Sequence, residues 1–189
     1  SLSTRAVRDG DDLVINGTKI WTTLAHRADW IMLLTRTDPD APKHRGISFV
    51  LVDMKTPGVS VRPIVNMANG HEFNQVIFDN VRVPKANMVG ELNRGWYIGA
   101  TLLDFERSGV GYSAGGLRTL EVLIQLAKET TRNGHPLAEN TAVRNRLADL
   151  AIETEVSRVL SYRIAWLQSQ GQVPTREASA GKLFGTELQ

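Results

Sequence analysis

The chain has 189 residues, 42% hydrophobic and 22% charged, a composition that excludes wholesale disorder. Its 22 Lys and Arg against 20 Asp and Glu leave a formal charge of +2, too balanced for a protein whose main task is gripping phosphate backbones. With no cysteine there is no disulfide framework, no thiolate nucleophile and no Cys-built zinc or iron–sulfur site. No apolar run approaches the ~18 residues that span a bilayer. The opening Ser-Leu-Ser-Thr-Arg carries no apolar signal core, so the chain reads as a soluble intracellular protein.

The first half reads as strands. Asp12–Ile15 and Thr18–Trp21 flank Asn16-Gly17, and Asn-Gly between β-rich runs predicts a tight hairpin, because both turn residues tolerate positive φ. Trp30–Thr37 and Ile47–Met54 are further β-rich runs, separated by a polar loop from Asp38 to Gly46. Pro57-Gly58 predicts a turn before Val59–Val65, and Gln75–Val83 is a last strand ending at Pro84. Short strands with turns between them predict a small antiparallel barrel or sandwich.

From Asn93 the pattern becomes helical. Gly95–Arg132 has few breakers apart from glycines, and Asn133-Gly134 followed by Pro136 is a stop signal. Glu139–Gln170 fits a second helix, with Val143, Leu147, Leu150, Leu160, Ile164 and Leu167 at three- and four-residue steps. Gly171 and Pro174 end it, and a third helix from near Thr175 runs to the end of the sequence. Helices this long need partners along their length, so a four-helix-bundle-like packing is expected. The fold class is therefore α+β, with a β domain over residues 1–92 and a helical domain over 93–189. One stretch, Ser108 to Gly116, holds four glycines and reads either as a loop between two helices or as a helix that something large approaches.

The four histidines (His26, His44, His71, His135) show no ligand spacing, and no protein-built metal site is expected. Asp104-Phe-Glu106-Arg107 closes an apolar, small-residue segment. Glu106 reads as a general base with its charged form disfavoured, or as one half of an ordinary solvated charge pair. Trp21-Thr22-Thr23 offers a planar ligand one ring face and hydroxyl donors, or else plugs the end of a sheet. No phosphate-cradling G-x-G-x-x-G follows a strand and no P-loop is present, while the basic loop Lys43-His44-Arg45 suits one phosphorylated small ligand.

Several segments together resemble the flavin-dependent acyl-CoA dehydrogenases. Leu13-Val-Ile-Asn-Gly-Thr-Lys-Ile-Trp-Thr-Thr23 is similar to that family's I-N-G-x-K-x-W-x-T run. Phe78-Asp-Asn-Val-Arg-Val-Pro84, then Asn87-Met-Val-Gly-Glu91 and Gly95-Trp96, resemble its crossing from β to helical domain. Phe105-Glu106-Arg107 and the stretch from Ala180 to Gln189 resemble two of its C-terminal helices. The resemblance implies FAD as cofactor, an acyl-CoA as substrate and the trans-2-enoyl thioester as product. It implies Glu106 as catalytic base, Trp21, Thr22, Thr23 and Arg132 as flavin contacts, and Asp104, Arg107 and Lys43 as substrate contacts. The glycine-rich stretch is then a helix passing close to ligand.

It further implies electron-transfer flavoprotein as electron acceptor, a role in fatty-acid metabolism, and a homo- or hetero-oligomer built as a dimer of dimers. No nucleic acid or membrane span is implied, and the compartment is the bacterial cytoplasm or the mitochondrial matrix. Where many members carry R-x-x-F-G, this chain has Thr130-Thr-Arg-Asn-Gly134, a departure that touches flavin contact across subunits. The family's N-terminal helical domain, first β segment and last helix have no counterpart here. Together with the missing initiator Met, this leads us to expect an excerpt of a longer protein. The alternatives on the same scaffold are an acyl-CoA oxidase or flavin monooxygenase, and a non-catalytic subunit.

Overall fold

The computed structural model describes residues 2–106 and 110–189. The chain divides into two compact units, Ser1–Ala100 and Thr101–Gln189. The first is built on β1 (Arg5–Asp9), β2 (Asp12–Thr23), β3 (Trp30–Arg36), β4 (Ile47–Asp53), β5 (Val59–Ile64), β6 (Phe73–Pro84) and the short β7 (Met88–Val89). Except at β2, whose course differs from the expected hairpin, the expected strands end within two residues of the observed ones. Their order is β5-β6-β2-β1-β3-β4-β7, and neighbours are antiparallel except β1 and β3, which pair in parallel at Arg5 and Arg36.

This linear order does not lie flat. β4 and β5 stand five places apart, about 24 Å across a flat sheet at ~4.8 Å per strand. Only residues 54–58 join them, and two turns, Thr56 N–H to the Asp53 carbonyl and Val59 N–H to that of Thr56, shorten the link further. The sheet therefore curls until its distant strands face each other, in the barrel-like manner expected of short strands. Alternate residues fill its interior: Leu13 and Ile15 from β2, Leu33 from β3, Val50 and Val52 from β4, and Val76 and Phe78 among those from β6. Each such side chain stabilises the folded state by ~1.5–3 kcal/mol through the apolar area removed from water.

Asn16-Gly17 is not a hairpin turn. β2 runs through it, and the reversal lies earlier, at Gly10-Asp11 between the paired Asp9 and Asp12, closing β2 on β1. Asn16-Gly17 instead lies opposite a β-bulge in β6: between Ile15 and Gly17 the register slips so that Asp79 and Asn80 together face Asn16. Gly17 has φ +142°, and a Cβ there would stand 2.7 Å from Thr4 Cα. Asn16 Oδ1 accepts from the Asn80 backbone N–H at 2.9 Å, tying the bulge to β2.

The chain enters its first helix, α1 (Gly95–Glu106), under tight restraint. Asn93 N–H donates to Ser48 Oγ at 2.8 Å, and the Thr37 hydroxyl lies 2.8 Å from Ser48 Oγ and donates to Asn93 Oδ1 at 2.5 Å. α1 thus starts pinned to the first unit.

The second unit contains α2 (Val110–Glu129), the hairpin strands β8 (Thr131–Arg132) and β9 (His135–Pro136), α3 (Thr141–Ser169) and α4 (Thr175–Leu188). The glycine-rich stretch is helical from Val110 onward, through Gly111, Gly115 and Gly116, while Ser108 and Gly109 lie outside the described residues. Asn133-Gly134, expected as a plain stop, is a hairpin turn with φ +55° and +83°. α3 starts at a side-chain cap, Asn140 Oδ1 accepting from Ala142 and Val143 N–H. Its inward stripe follows the expected periodicity, but its middle is small and polar: Thr154, Ser157 and Ser161 are buried beside Ile164 and Leu167. Thr154 and Ser161 bond back to the carbonyls of Leu150 and Ser157, so their burial leaves no hydroxyl unmatched.

Candidate active site

In the first unit the site residues sit where β2 ends. The register between β2 and β6 slips a second time, between Lys19 and Thr22, so that Ile20 and Trp21 together face Gln75. Trp21 occupies this bulge with φ +62° and 62% exposure, its ring edge-on to Phe73 at 6.2 Å. A bulky residue in the left-handed region is strained by about 1–3 kcal/mol, and such strain collects at functional sites. Thr22 is half-buried and Thr23 exposed, so one strand end presents an indole face beside two hydroxyls.

Behind this segment lies a side chain that the sequence reading passed over. Asn74, the register partner of Thr22, is fully buried and bonds to the Thr22 carbonyl and to both His26 and His71. The signal was present: Asn74 shares the inward register of Val76 and Phe78, where a polar residue is costly unless satisfied.

Lys43 stands at the opposite end of the strands from Trp21, in a 3-10 turn (Lys43–Gly46) that precedes β4. The seven-residue β3 separates the two ends by about 20 Å. Lys43 is exposed, with φ +37°, and its carbonyl accepts from the Arg36 guanidinium. Its neighbour His44 packs edge-on against Tyr97 at 5.7 Å, and the Arg94 guanidinium lies 4.3 Å above the same Tyr97 ring. This gathers an imidazole and a guanidinium around Tyr97 at the start of α1. Lys19, whose ammonium donates to the Leu34 carbonyl at 2.8 Å, has its pKa lowered by burial.

In the second unit, Asp104 is half-buried and accepts from Thr175 Oγ1 at 2.9 Å, which ties the end of α1 to the start of α4. Glu106 is exposed and is the last described residue of α1, and Arg107 lies outside the described residues. Arg132 is exposed on β8 opposite His135, lining a shallow depression with Asn140 and Val143. Trp21, Thr22, Thr23 and Lys43 thus belong to the first unit, and Asp104, Glu106 and Arg132 to the second. A separate groove of about 470 Å³, lined by Gly116, Leu120, Leu123, Leu150, Thr154 and Leu188, includes none of them. Among the described residues no group of three or more His, Asp or Glu side chains is placed to hold a metal ion.

Two family models match the chain. The family model for the acyl-CoA dehydrogenase middle domain matches residues 1–81, and that for the acyl-CoA dehydrogenase C-terminal domain matches residues 93–189. The chain belongs to the acyl-CoA dehydrogenase family. It is 38% identical over 185 residues to the acyl-CoA dehydrogenase FadE34 of Mycobacterium tuberculosis, covering 98% of this chain and 25% of that one. Among solved structures, an acyl-CoA dehydrogenase from Geobacillus kaustophilus superposes with a TM-score of 0.91 at 30% identity, covering 100% of this chain and 51% of that one. A steroid acyl-CoA dehydrogenase, the Tcur3481-Tcur3483 G363A variant, gives a TM-score of 0.87 at 38% identity, covering 100% and 48%. The chain spans about half or less of the length of the curated relatives and structures it matches. As in the sequence-based expectation, a β unit precedes a helical one; no helix among the described residues is long and apolar enough to cross a membrane.

Proposed function

We propose that this acyl-CoA dehydrogenase family chain serves in FAD-dependent α,β-dehydrogenation of an acyl-CoA thioester, giving the trans-2-enoyl thioester. The observation that carries the reading is Trp21: an exposed indole held in a strained bulge with two threonines beside it fits a planar heteroaromatic ring. Trp21 would offer that ring an apolar face, the Thr22 and Thr23 hydroxyls would supply hydrogen bonds to its heteroatoms, and Arg132 would supply a cation for the cofactor's phosphates. FAD, when bound, supplies the two-electron acceptor for the β-hydrogen.

The protein's part is proton removal and substrate placement. Glu106 takes the α-proton of the thioester, and the enclosure that a general base needs comes from the bound acyl group, since the carboxylate is exposed in this chain. Asp104, Arg107 and Lys43 hold the CoA part. The ~20 Å between Lys43 and the Trp21 end of the strands suits a ligand as long as a CoA thioester. The partner that would take up the electrons is an electron-transfer flavoprotein, in the cytoplasm of a bacterium.

The test is anaerobic: purified with its flavin, the protein should be yellow and bleach on adding a suitable acyl-CoA. Bleaching reversed by rapid oxygen consumption would replace the dehydrogenase reading with an oxidase, and a protein that never binds FAD would replace it with a non-catalytic subunit. A panel of straight, branched and steroid-derived acyl-CoAs assigns the acyl class.

Oligomerisation is part of the same reading. The outward side of α3 carries Ile152, Val156, Val159, Tyr162 and Trp166, all exposed, an apolar ridge at helical spacing that calls for a partner surface. Val159→Asp combined with Trp166→Asp is expected to lower the native mass in light scattering while leaving helix content intact. An unchanged mass would remove this ridge from the interface.

A further inference from the structure

We propose that Asn74 is a positioning residue for Trp21–Thr23: its buried amide holds the bulge in the conformation that presents the Trp21 ring and the threonine hydroxyls to the flavin. The proposal rests on the flavin reading above and extends it to a residue that the reading did not need. A tryptophan at φ +62° relaxes unless its surroundings over-determine it. Here the restraints converge on one side chain, which is 0% exposed. Asn74 Nδ2 donates to the carbonyl of Thr22, the first residue back in register after the bulge, at 3.1 Å. It also faces His26 Nδ1 at 3.2 Å and the Glu72 carbonyl at 3.3 Å, while Oδ1 receives His71 Nε2 at 2.8 Å.

The two carbonyls decide which way the amide points, because an oxygen in that place would meet the oxygens of Thr22 and Glu72. That orientation puts a proton on His71 Nε2 and a lone pair on His26 Nδ1, and the two imidazoles stack at 4.1 Å. One amide therefore joins the strand past the bulge, the facing strand and the loop that leaves β2. Leu24 N–H, donating to the Glu72 carbonyl at 2.7 Å, closes the segment on its far side. Remove the amide and the half-buried Thr22 carbonyl loses its side-chain donor, a change worth about tenfold in any equilibrium that needs this conformation.

Two variants test this. Asn74→Leu removes both ends of the amide; Asn74→Asp keeps its shape and its acceptor but turns the Thr22-facing donor into an oxygen. In the apoprotein the readout is the near-UV circular dichroism of Trp21, isolated by subtracting the Trp21→Phe counterpart; in the holoprotein it is the FAD dissociation constant. We expect the Trp21 difference spectrum to change in both variants, and FAD to bind about tenfold more weakly, with far-UV signal retained. A residue that merely stabilised the sheet would lower the melting temperature and leave the Trp21 spectrum as it was. An unchanged Trp21 spectrum overturns the proposal, as does a changed spectrum with undiminished FAD affinity. Should Asn74→Leu fail to fold, Asn74→Asp decides alone. Wild-type protein that binds no FAD overturns the flavin reading itself, an outcome distinct from the loss of either readout in the variants.

Discussion

Glu106→Gln is expected to slow anaerobic flavin reduction by acyl-CoA about 10²–10⁴-fold while FAD remains bound, the range that a positioned general base contributes. The substitution preserves the shape of the side chain and its place at the end of α1, and removes only the capacity to take a proton. The other carboxylate on that helix, Asp104, does not step in, because it is engaged by the Thr175 hydroxyl across to α4. Glu106→Asp keeps the carboxylate but withdraws it by about one methylene, and a displacement of that order costs up to about 10²-fold when it spoils the alignment of reacting atoms. Stopped-flow absorbance at the flavin band separates these cases, with the visible spectrum of the oxidised variant reporting that cofactor is still in place. Reduction of Glu106→Gln at the wild-type rate would move the base to another residue. Loss of flavin from the variant would instead give Glu106 a part in cofactor retention.

How far the fold and site were legible depends on what each signal physically encodes. Asn-Gly reports a backbone that accepts positive φ, not a chain reversal. At 133–134 that tolerance makes a hairpin; at 16–17 the same dipeptide continues a strand opposite a bulge of its partner, because Thr4 packs against the glycine Cα from one side and Asn80 pairs with the asparagine. β1 was missed because Arg5–Asp9 buries only Ala6, so that its alternation is too weak to see. The stripe on α3 was legible as a period, whereas Thr154, Ser157 and Ser161 entered it because the neighbouring helices come close there: a Cβ at Gly116 would lie 3.6 Å from Thr154 Cγ2.

The site divides in the same way. Trp21, Thr22 and Thr23 were found through resemblance, but the bulge that strains Trp21 leaves no mark in the string Lys-Ile-Trp-Thr, because nothing local says which residue is extra. Asn74 was readable by a different rule, as a polar residue in an inward register.

The start of α1 supplies a second large expected effect, in stability: Gly95→Ala should destabilise the protein while Gly99→Ala, one helical turn on, should not. A Cβ on Gly95 would lie 2.2 Å from Phe49 N, 2.3 Å from Ser48 C and 2.7 Å from Ser48 Cα. All three are backbone atoms of β4, a strand held on one side by β3 and on the other by β7, so none can swing aside. The helix start must lift instead, which strains the Asn93–Ser48–Thr37 hydrogen bonds and the bridge between Ile47 and Arg94. Overpacking of this kind costs about 1–3 kcal/mol, and more where backbone must move. At Gly99 the new methyl would meet only the Leu34 side chain, at 3.4–3.9 Å, which is ordinary contact, and alanine gains about 0.5–1 kcal/mol over glycine within a helix. Thermal unfolding should therefore move in opposite directions for the same chemical change on one helix. Because α1 also carries Asp104 and Glu106, Gly95→Ala should lower the rate of flavin reduction beyond what its lost stability explains. Melting temperatures that fall equally for both variants would mean that β4 does not hold the helix as tightly as this packing requires.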